Sequence, residues 1–490
     1  MEDKKTTKVN LWCFPLGTVG RDMVYVLVSN FLLTYMMFTR ELTNAQLGAI
    51  TAIMVAARIF DALNDPIMGN IIERTRSKYG KFKPWLVAGA ISTTAVIIFL
   101  FNTNLTGWPF IWAFGISYFA FSITYTMNDI AYWGMIPALS KDSGARDAFT
   151  SRATLFAGIG NGLASVFIPL LTTGAMAIGG STKSGYGAVS IIIGILAPLF
   201  LLFTVFGVRE NRDDMSTPPA PLSFKKIIGT ISGNDQLIAI SICFLVQETG
   251  SMIIAGGLGS TYIYFTYGYR GGLYSTFTLV GMSATALLMI FYPMIAKKFG
   301  RIKLMGMLLI LSIVGYIMMV ASVAVAGSTA GFWILTIGYM LASFGQYGYY
   351  LIMMISILNT VEYNEYKVGT RDEAIIASLR PFLTKLSSAL IVLITSVSYM
   401  IFGVTDYTNQ ISNYENQAAA GKITDAEKLD AIDKVLGTVN SGQTLGLLLI
   451  MIILSLVMMI FSYFFYKKKY TLDEAEYDRI CKELAERKNK

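Results

Sequence analysis

The sequence predicts an all-α membrane protein with twelve transmembrane helices in two pseudo-symmetric six-helix bundles. Three observations carry this. Hydrophobic residues make up 54% of the 490 residues and charged residues only 14%, with a mean hydropathy of +0.56, beyond what a soluble domain tolerates. Apolar segments able to cross about 30 Å of hydrocarbon recur near 14–37, 45–71, 84–103, 109–138, 149–174, 187–208, 236–266, 274–296, 304–325, 331–360, 374–403 and 442–466. The connections alternate in charge: Arg74, Arg76, Lys78, Lys81 and Lys83 crowd one and Lys297, Lys298, Arg301 and Lys303 another, while those near 102–108 and 326–331 carry no Lys or Arg. Basic connections stay cytoplasmic, so an even number of spans places both termini inside.

Taken in order, the chain opens Met1-Glu2-Asp3-Lys4-Lys5 with no small-residue cleavage site after the first apolar stretch. The first segment is therefore expected to remain as a span rather than leave as a signal peptide. Residues 1–208 make the first six-helix bundle. The stretch 209–235, with Asp213, Asp214, Pro218, Pro219, Pro221, Lys225 and Lys226, reads as a cytoplasmic linker. Residues 236–466 make the second bundle, with an extracellular polar loop at about 405–441. Within it the apolar spacing from Asp425 suits a short amphipathic helix, although a solvated loop is the favoured reading. Lys467, Lys468 and Lys469 close the last span, and 467–490 is a cytoplasmic tail.

The halves echo one another. Gly144-Ala145-Arg146-Asp147 after the fourth span matches Gly369-Thr370-Arg371-Asp372 after the tenth, and Gly80-Lys81-Phe82-Lys83 parallels Gly300-Arg301-Ile302-Lys303. Paired halves around a midplane site are the organisation of major-facilitator transporters, which expose the site alternately by rocking. Other classes fit poorly. The formal charge of +8 lies in short connections rather than on one face, which argues against nucleic acid. Cys13, Cys243 and Cys481 are odd in number and far apart, so neither a disulfide framework nor a thiolate metal site is expected. With no histidine and no nucleophile–base pair, an enzyme is not expected, nor a resident cofactor.

The informative chemistry is charge at membrane depth, which costs several kcal/mol and persists in paired or aqueous settings. In span two, Arg58, Asp61 and Asp65 follow i, i+3, i+7 spacing on one helical face, with Asn64 beside them. In span four, Tyr125, Asp129 and Trp133 follow i, i+4, i+8, with Thr126 alongside. Asp22 in span one, Arg152 in span five, Glu248 in span seven, and Arg380 and Lys385 in span eleven complete the set. Pairing of Arg58 with an aspartate could be a plain interhelical lock. The aspartates outnumber that arginine, however, and an unpaired buried carboxylate takes a proton or a cation. Asp61, Asn64, Asp65 and Thr126 offer hard oxygen donors for sodium. Without histidine, proton coupling would need a carboxylate. Trp133 and Tyr125 near Asp129 suit a sugar, whose apolar faces stack on aromatic rings while charged groups bind its hydroxyls. A tryptophan on a helix also packs, and Asp22, Arg152 and Lys385 are what raise the sugar reading.

These residues form a longer pattern. Arg58-Ile-Phe-Asp61-Ala-Leu-Asn64-Asp65-Pro-Ile-Met-Gly69, then Thr75-Arg76-Ser-Lys-Tyr-Gly80-Lys-Phe-Lys-Pro84-Trp85, resembles the signature of the melibiose permease-like glycoside-pentoside-hexuronide cation symporters. Gly20-Arg21-Asp22, Tyr125-Thr126-Met-Asn-Asp129-Ile-Ala-Tyr-Trp133 and Glu362-Tyr-Asn-Glu-Tyr-Lys367-Val-Gly369-Thr-Arg371 follow in the family's order. The resemblance covers most of the chain outside the termini and 405–441. It implies a cation site at Asp61, Asn64, Asp65 and Thr126, shared with Asp129. It implies sugar contacts at Asp22, Tyr125, Asp129, Trp133 and Arg152, with Lys385 in the same cavity. The coupling ion would be sodium, with proton or lithium as alternatives. A bacterial cytoplasmic membrane and a protein working as a monomer among lipids are also implied. Arg380-Pro381 replaces a more neutral polar pair and Arg21 replaces lysine, which points to an acidic or differently linked sugar. A lysolipid carrier of the same fold, or a sugar sensor without transport, is the alternative function.

Overall fold

The computed structural model describes residues 4–140, 143–209 and 224–488; most of the expected linker, residues 210–223, lies outside them, as does the side chain of Asp147. The described residues are helical with short connections. In chain order the helices are α1 Lys4–Thr39, α2 Asn44–Arg74, α3 Lys83–Asn102, α4 Gly107–Gly134, α5 Ile136–Leu139, α6 Ser143–Thr172, α7 Thr182–Gly207, α8 Phe224–Gly233 and α9 Asp235–Met252. They continue with α10 Gly257–Tyr267, α11 Gly271–Phe299, α12 Arg301–Ala321, α13 Thr329–Val368, α14 Glu373–Ile401, α15 Val404–Ala419, α16 Asp425–Gly437, α17 Ser441–Lys469 and α18 Glu474–Lys488. Each of the twelve apolar segments falls on a helix or, for 109–138 and 236–266, on the pairs α4–α5 and α9–α10. By length and apolarity of the described residues, ten spans qualify, or eleven with the bent α2; α11, at 29 residues, occupies the place of the remaining segment. Outward-facing groups are apolar in the way a lipid boundary requires, with Trp112, Ile116 and Phe206 between 73% and 80% exposed.

The chain divides into two compact units. The first comprises Met1–Pro221 with Gly268–Thr276 and Tyr399–Val439; the second comprises Leu222–Tyr267, Phe277–Ser398 and Asn440–Lys490. Two segments from the second half of the sequence thus fold with the first unit. Within the first unit, α1 packs on α6 and α7, α2 on α4, and α3 on α4 and α7. Small residues allow the approach that membrane helices need in place of a hydrophobic drive. A Cβ at Gly20 would collide with the Cα of Ala197, and one at Gly160 with the carbonyl of Val19. These two glycines seat α1, and with it Arg21 and Asp22, against α6 and α7.

Helix α2 bends by about 40° at Asp61–Leu63. Pro66 lies inside it, lacks the N–H owed to the carbonyl four residues earlier, and crowds that carbonyl. The bend therefore falls among the predicted cation ligands. In the second unit α12 packs on α13 and α17, and α9 on α13 and α17. Span seven is interrupted between Met252 and Gly257, where Ser455 Oγ donates to the carbonyl of Gly250 at 2.7 Å. The connection after α13 is tied by Arg371 to Glu362, Glu365 and Glu373 at 2.8, 3.1 and 3.2 Å. Asp372 pairs with Lys226 of α8 at 2.9 Å and accepts from Thr230. The counterpart of Arg371 in the first half, Arg146, instead donates to the carbonyl of Ser140.

The polar stretch after α14 is ordered helix rather than solvated loop. Thr424 caps α16 with a capping box to Glu427, which supplies the start signal that the periodicity lacked.

Candidate functional site

Helices α1, α2 and α4 of the first unit carry most of the predicted residues. Arg21 is 6% exposed and lies between two carboxylates, 2.9 Å from Asp22 and 3.0 Å from Asp129. Its guanidinium also sits 4.6 Å from the ring centre of Tyr132 and 5.2 Å from that of Trp133. Thr18, one turn earlier, donates to Asp22. Tyr132 is held against Phe14, with ring centres 4.4 Å apart and planes within 9°, and its hydroxyl donates to the Phe14 carbonyl at 2.8 Å. Tyr125 lies next to Tyr25, 5.8 Å between centres. The structure thus brings Asp22, Asp129 and Trp133 together, but around Arg21. The Nε and Nη1 of Arg21 are buried without a hydrogen-bond partner among the described residues, so the contact with Asp129 is an ion pair only and this guanidinium retains two donors to give.

The second group sits at the bend of α2. Arg58 pairs with Asp61 at 3.6 Å and donates to Ser29 at 3.0 Å. Across on α4, Ser122 donates to Asp61 and Thr126 to Asp65, the latter at 3.2 Å. Asn64 has a buried amide nitrogen with no partner among the described residues. Two carboxylates, two hydroxyls and an amide from facing helices are hard donors fit for a monovalent cation. Asp129 lies on the Arg21 side of the arrangement.

The remaining residues are on other helices. Arg152 stacks on Trp12, 5.0 Å from its ring centre, and donates to the Leu11 carbonyl at 3.3 Å; among the described residues it makes no ion pair with Asp22 or Asp129. Arg380 and Lys385 are on α14 in the second unit, where Arg380 donates to Tyr350 at 2.9 Å. Glu248 is buried on α9 of that unit. Its neighbour Gln247 donates to Gln346, which donates to Tyr316 at 2.7 Å.

Spacing along the chain does not mark Arg21 or Ser122 as site members. A signal existed for Ser122, because Tyr118, Ser122 and Thr126 make an i, i+4, i+8 hydroxyl stripe facing α2. Arg21 adjoins Asp22, but spacing does not say which way an adjacent residue turns. A narrow cleft between α1, α3, α4 and α7 touches Arg21, Tyr125 and Asn128. The carboxylates are not among its walls, so it is a seam between helices rather than the site.

Residues 13–467 match the family model described as MFS/sugar transport protein. The chain belongs to that family. Its resemblance to the glycoside cation symporters agrees, and the family is one of transporters, not enzymes. The chain is 29% identical over 401 residues to the lactose permease of Leuconostoc lactis, an alignment covering 78% of this chain and 61% of that one. It is 27% identical over 438 residues to the raffinose carrier protein of Pediococcus pentosaceus, covering 85% and 64%. The chain therefore spans less than two thirds of the length of these relatives. Its fold is similar to a bacterial homologue of the human lysosomal transporter Spinster in an inward-facing, unoccupied conformation. That match has a TM-score of 0.62 and 14% identity, over 96% of this chain and 100% of the other.

Proposed function

We propose that this protein is a cation-coupled sugar symporter working by alternating access. The observation that carries the reading is Arg21, shared by Asp22 and Asp129 over the rings of Tyr132 and Trp133. Such a group offers a polyol both acceptors and a donor beside an aromatic face, and charge-assisted hydrogen bonds to hydroxyls are the strong ones. The names of the relatives, lactose permease and raffinose carrier, support a sugar or glycoside as cargo. The Arg380–Tyr350 pair is the reason to include acidic and differently linked sugars in any test.

The carboxylates at the α2 bend take the coupling cation, with Asp61, Asp65, Thr126 and Asn64 as its ligands. Sodium suits this oxygen set, and a proton on Asp61 or Asp65 is the competing choice. Asp129, on the same helix face as Tyr125 and one turn from Thr126, links the two groups. A cation near Asp65 lowers the negative charge that Arg21 balances and frees Arg21 and Asp129 to bind hydroxyls. Each ligand then tightens the other by the same factor. The protein sits as a monomer in a bacterial cytoplasmic membrane with its basic connections and both termini inside.

Uptake into proteoliposomes of a labelled panel of mono- and disaccharides, neutral and acidic, is measured under a sodium gradient, a proton gradient, and neither. Accumulation driven by one gradient and competed by unlabelled sugar is expected. No accumulation of any sugar, with uptake of a labelled lysolipid instead, would overturn the reading.

A further inference from the structure

We infer that residues 399–439, with the turn 268–276, form a clasp on the first bundle that must release during each transport cycle. The inference rests on the transport reading above, since a protein that does not alternate needs no such release.

The clasp belongs to the first unit, while its chain runs on into spans of the second. Helices α15 and α16 connect α14 to α17, whose spans belong to the second unit, yet they fold with the first. The turn between α1 and α2 holds α15 through backbone groups. The N–H of Leu42 donates to Asn409 at 2.8 Å, Asn409 donates back to the Leu42 carbonyl at 3.0 Å, and Asn416 donates to the Thr39 carbonyl at 3.2 Å. Behind these bonds lies a buried polar hub. Glu415 is fully buried and accepts from the backbone N–H and hydroxyl of Thr182, at 2.6 and 3.1 Å. Lys428, also fully buried, lies 3.8 Å from Glu415 and donates to the Gly180 carbonyl at 2.5 Å. The Thr182 hydroxyl is 2.7 Å from that of Tyr269, which brings in the second segment.

That second segment is held to α6. The N–H of Gly271 donates to the Thr173 carbonyl at 3.2 Å and Ser275 donates to the Val166 carbonyl at 2.6 Å. Helix α11 then continues without interruption from these residues to Phe299. Alternating access moves one bundle against the other. When it does so, the docked ends of α11 and α14 must either leave the first bundle or restrain the motion. The joint is mixed. Tyr269 packs on Phe38 and Tyr274 on Phe31, with ring centres 5.6 and 6.3 Å apart, while α15 and α16 are held by hydrogen bonds and one buried ion pair, each worth little net because water replaces it on release; this polar part is where leaving starts. A buried charge pair adds direction, because either charge left alone is costly, so the clasp closes in one register or not at all.

The test uses full-length protein in lipid nanodiscs, where both faces meet reagent, with Cys13, Cys243 and Cys481 replaced by alanine. Ser412 is fully buried under the clasp, and Ser412→Cys supplies a reporter thiol there. The rate of maleimide labelling is expected to rise at least tenfold in Glu415→Ala, which removes both acceptors of Thr182, and in Lys428→Met, each shown to be folded by its melting temperature. Rates unchanged in a folded variant would overturn the clasp. A second arm removes no buried charge: Leu42→Cys with Asn409→Cys, oxidised to the disulfide, is expected to lose nine tenths of uptake and regain it on reduction. Full uptake by completely crosslinked protein would equally overturn it. Absence of sugar uptake before crosslinking would count against the symport reading alone, and the labelling comparison would still judge the clasp.

Discussion

Arg21 is the residue on which the proposed sugar site most depends, and its replacement gives a worked prediction. Arg21→Met removes both ion pairs, at 2.9 and 3.0 Å, from a guanidinium only 6% exposed, while keeping an apolar side chain of similar length over Tyr132 and Trp133. Hydrogen bonds to charged groups contribute about 1.5–3 kcal/mol each in mutational measurements. The buried Nε and Nη1 of Arg21 have no hydrogen-bond partner among the described residues and are the donors a sugar hydroxyl would take; at the lower figure, losing both comes to about 3 kcal/mol, or about a hundredfold in affinity, since about 1.4 kcal/mol is a factor of ten. Lysine carries a point charge rather than a fork and can satisfy one carboxylate well; Arg21→Lys is therefore expected to weaken binding about tenfold. The assay is sugar affinity of the purified protein by isothermal calorimetry, using the sugar that uptake identifies, with melting temperature as the check on folding. Arg21→Met with an affinity within threefold of wild type would refute the argument, and so would Arg21→Lys that is weaker than Arg21→Met.

Three further outcomes are expected. Asp65→Cys loses the carboxylate that Thr126 faces at 3.2 Å; cation-driven accumulation should fall to background while sugar binding persists but no longer responds to the cation, as titration with and without sodium will read. Gly180 has φ +72, and a Cβ there would lie 2.5 Å from an Asp425 carboxylate oxygen; left-handed backbone alone costs a non-glycine residue about 1–2 kcal/mol, so Gly180→Ala should lower the melting temperature and speed maleimide labelling in the Ser412→Cys background. Burial holds Glu415 above the usual carboxylate range, an effect that Lys428 and the bonds from Thr182 and Tyr269 only partly offset. A raised folded pKa stabilises docking most at low pH and loses that stabilisation as pH rises through the folded value. Labelling of the reporter thiol at position 412 should therefore slow as pH falls from neutrality into the carboxylate range, once rates are corrected for the thiolate fraction of a free thiol, and Glu415→Gln should abolish the dependence; Asp425 and Lys428 are the other charges at this joint.

The spans could be read from the chain because the lipid requirement acts on each one separately: about 20 apolar residues with all backbone bonds satisfied within the helix. The same locality made the carboxylates of α2 and α4 visible, since charge in an apolar segment stands out whatever the fold. Thr424 and Glu427 carry a local start signal for α16, but with apolar spacing alone a solvated loop is the favoured reading there. What lay beyond the sequence is everything that depends on how one helix turns toward another. Successive residues on a helix point about 100° apart, so nothing local told Arg21 to bridge Asp22 and Asp129, or Arg152 to lie on Trp12 instead. Ser122 meets Asp61 only because α2 packs on α4 where Pro66 bends it. Residues 399–439 follow α14 in sequence, but their partners at 39–44 and 180–182 lie far back in the chain. Tertiary packing decided that docking, since backbone carbonyls and amides at loop turns accept any partner of suitable geometry and advertise none in the sequence.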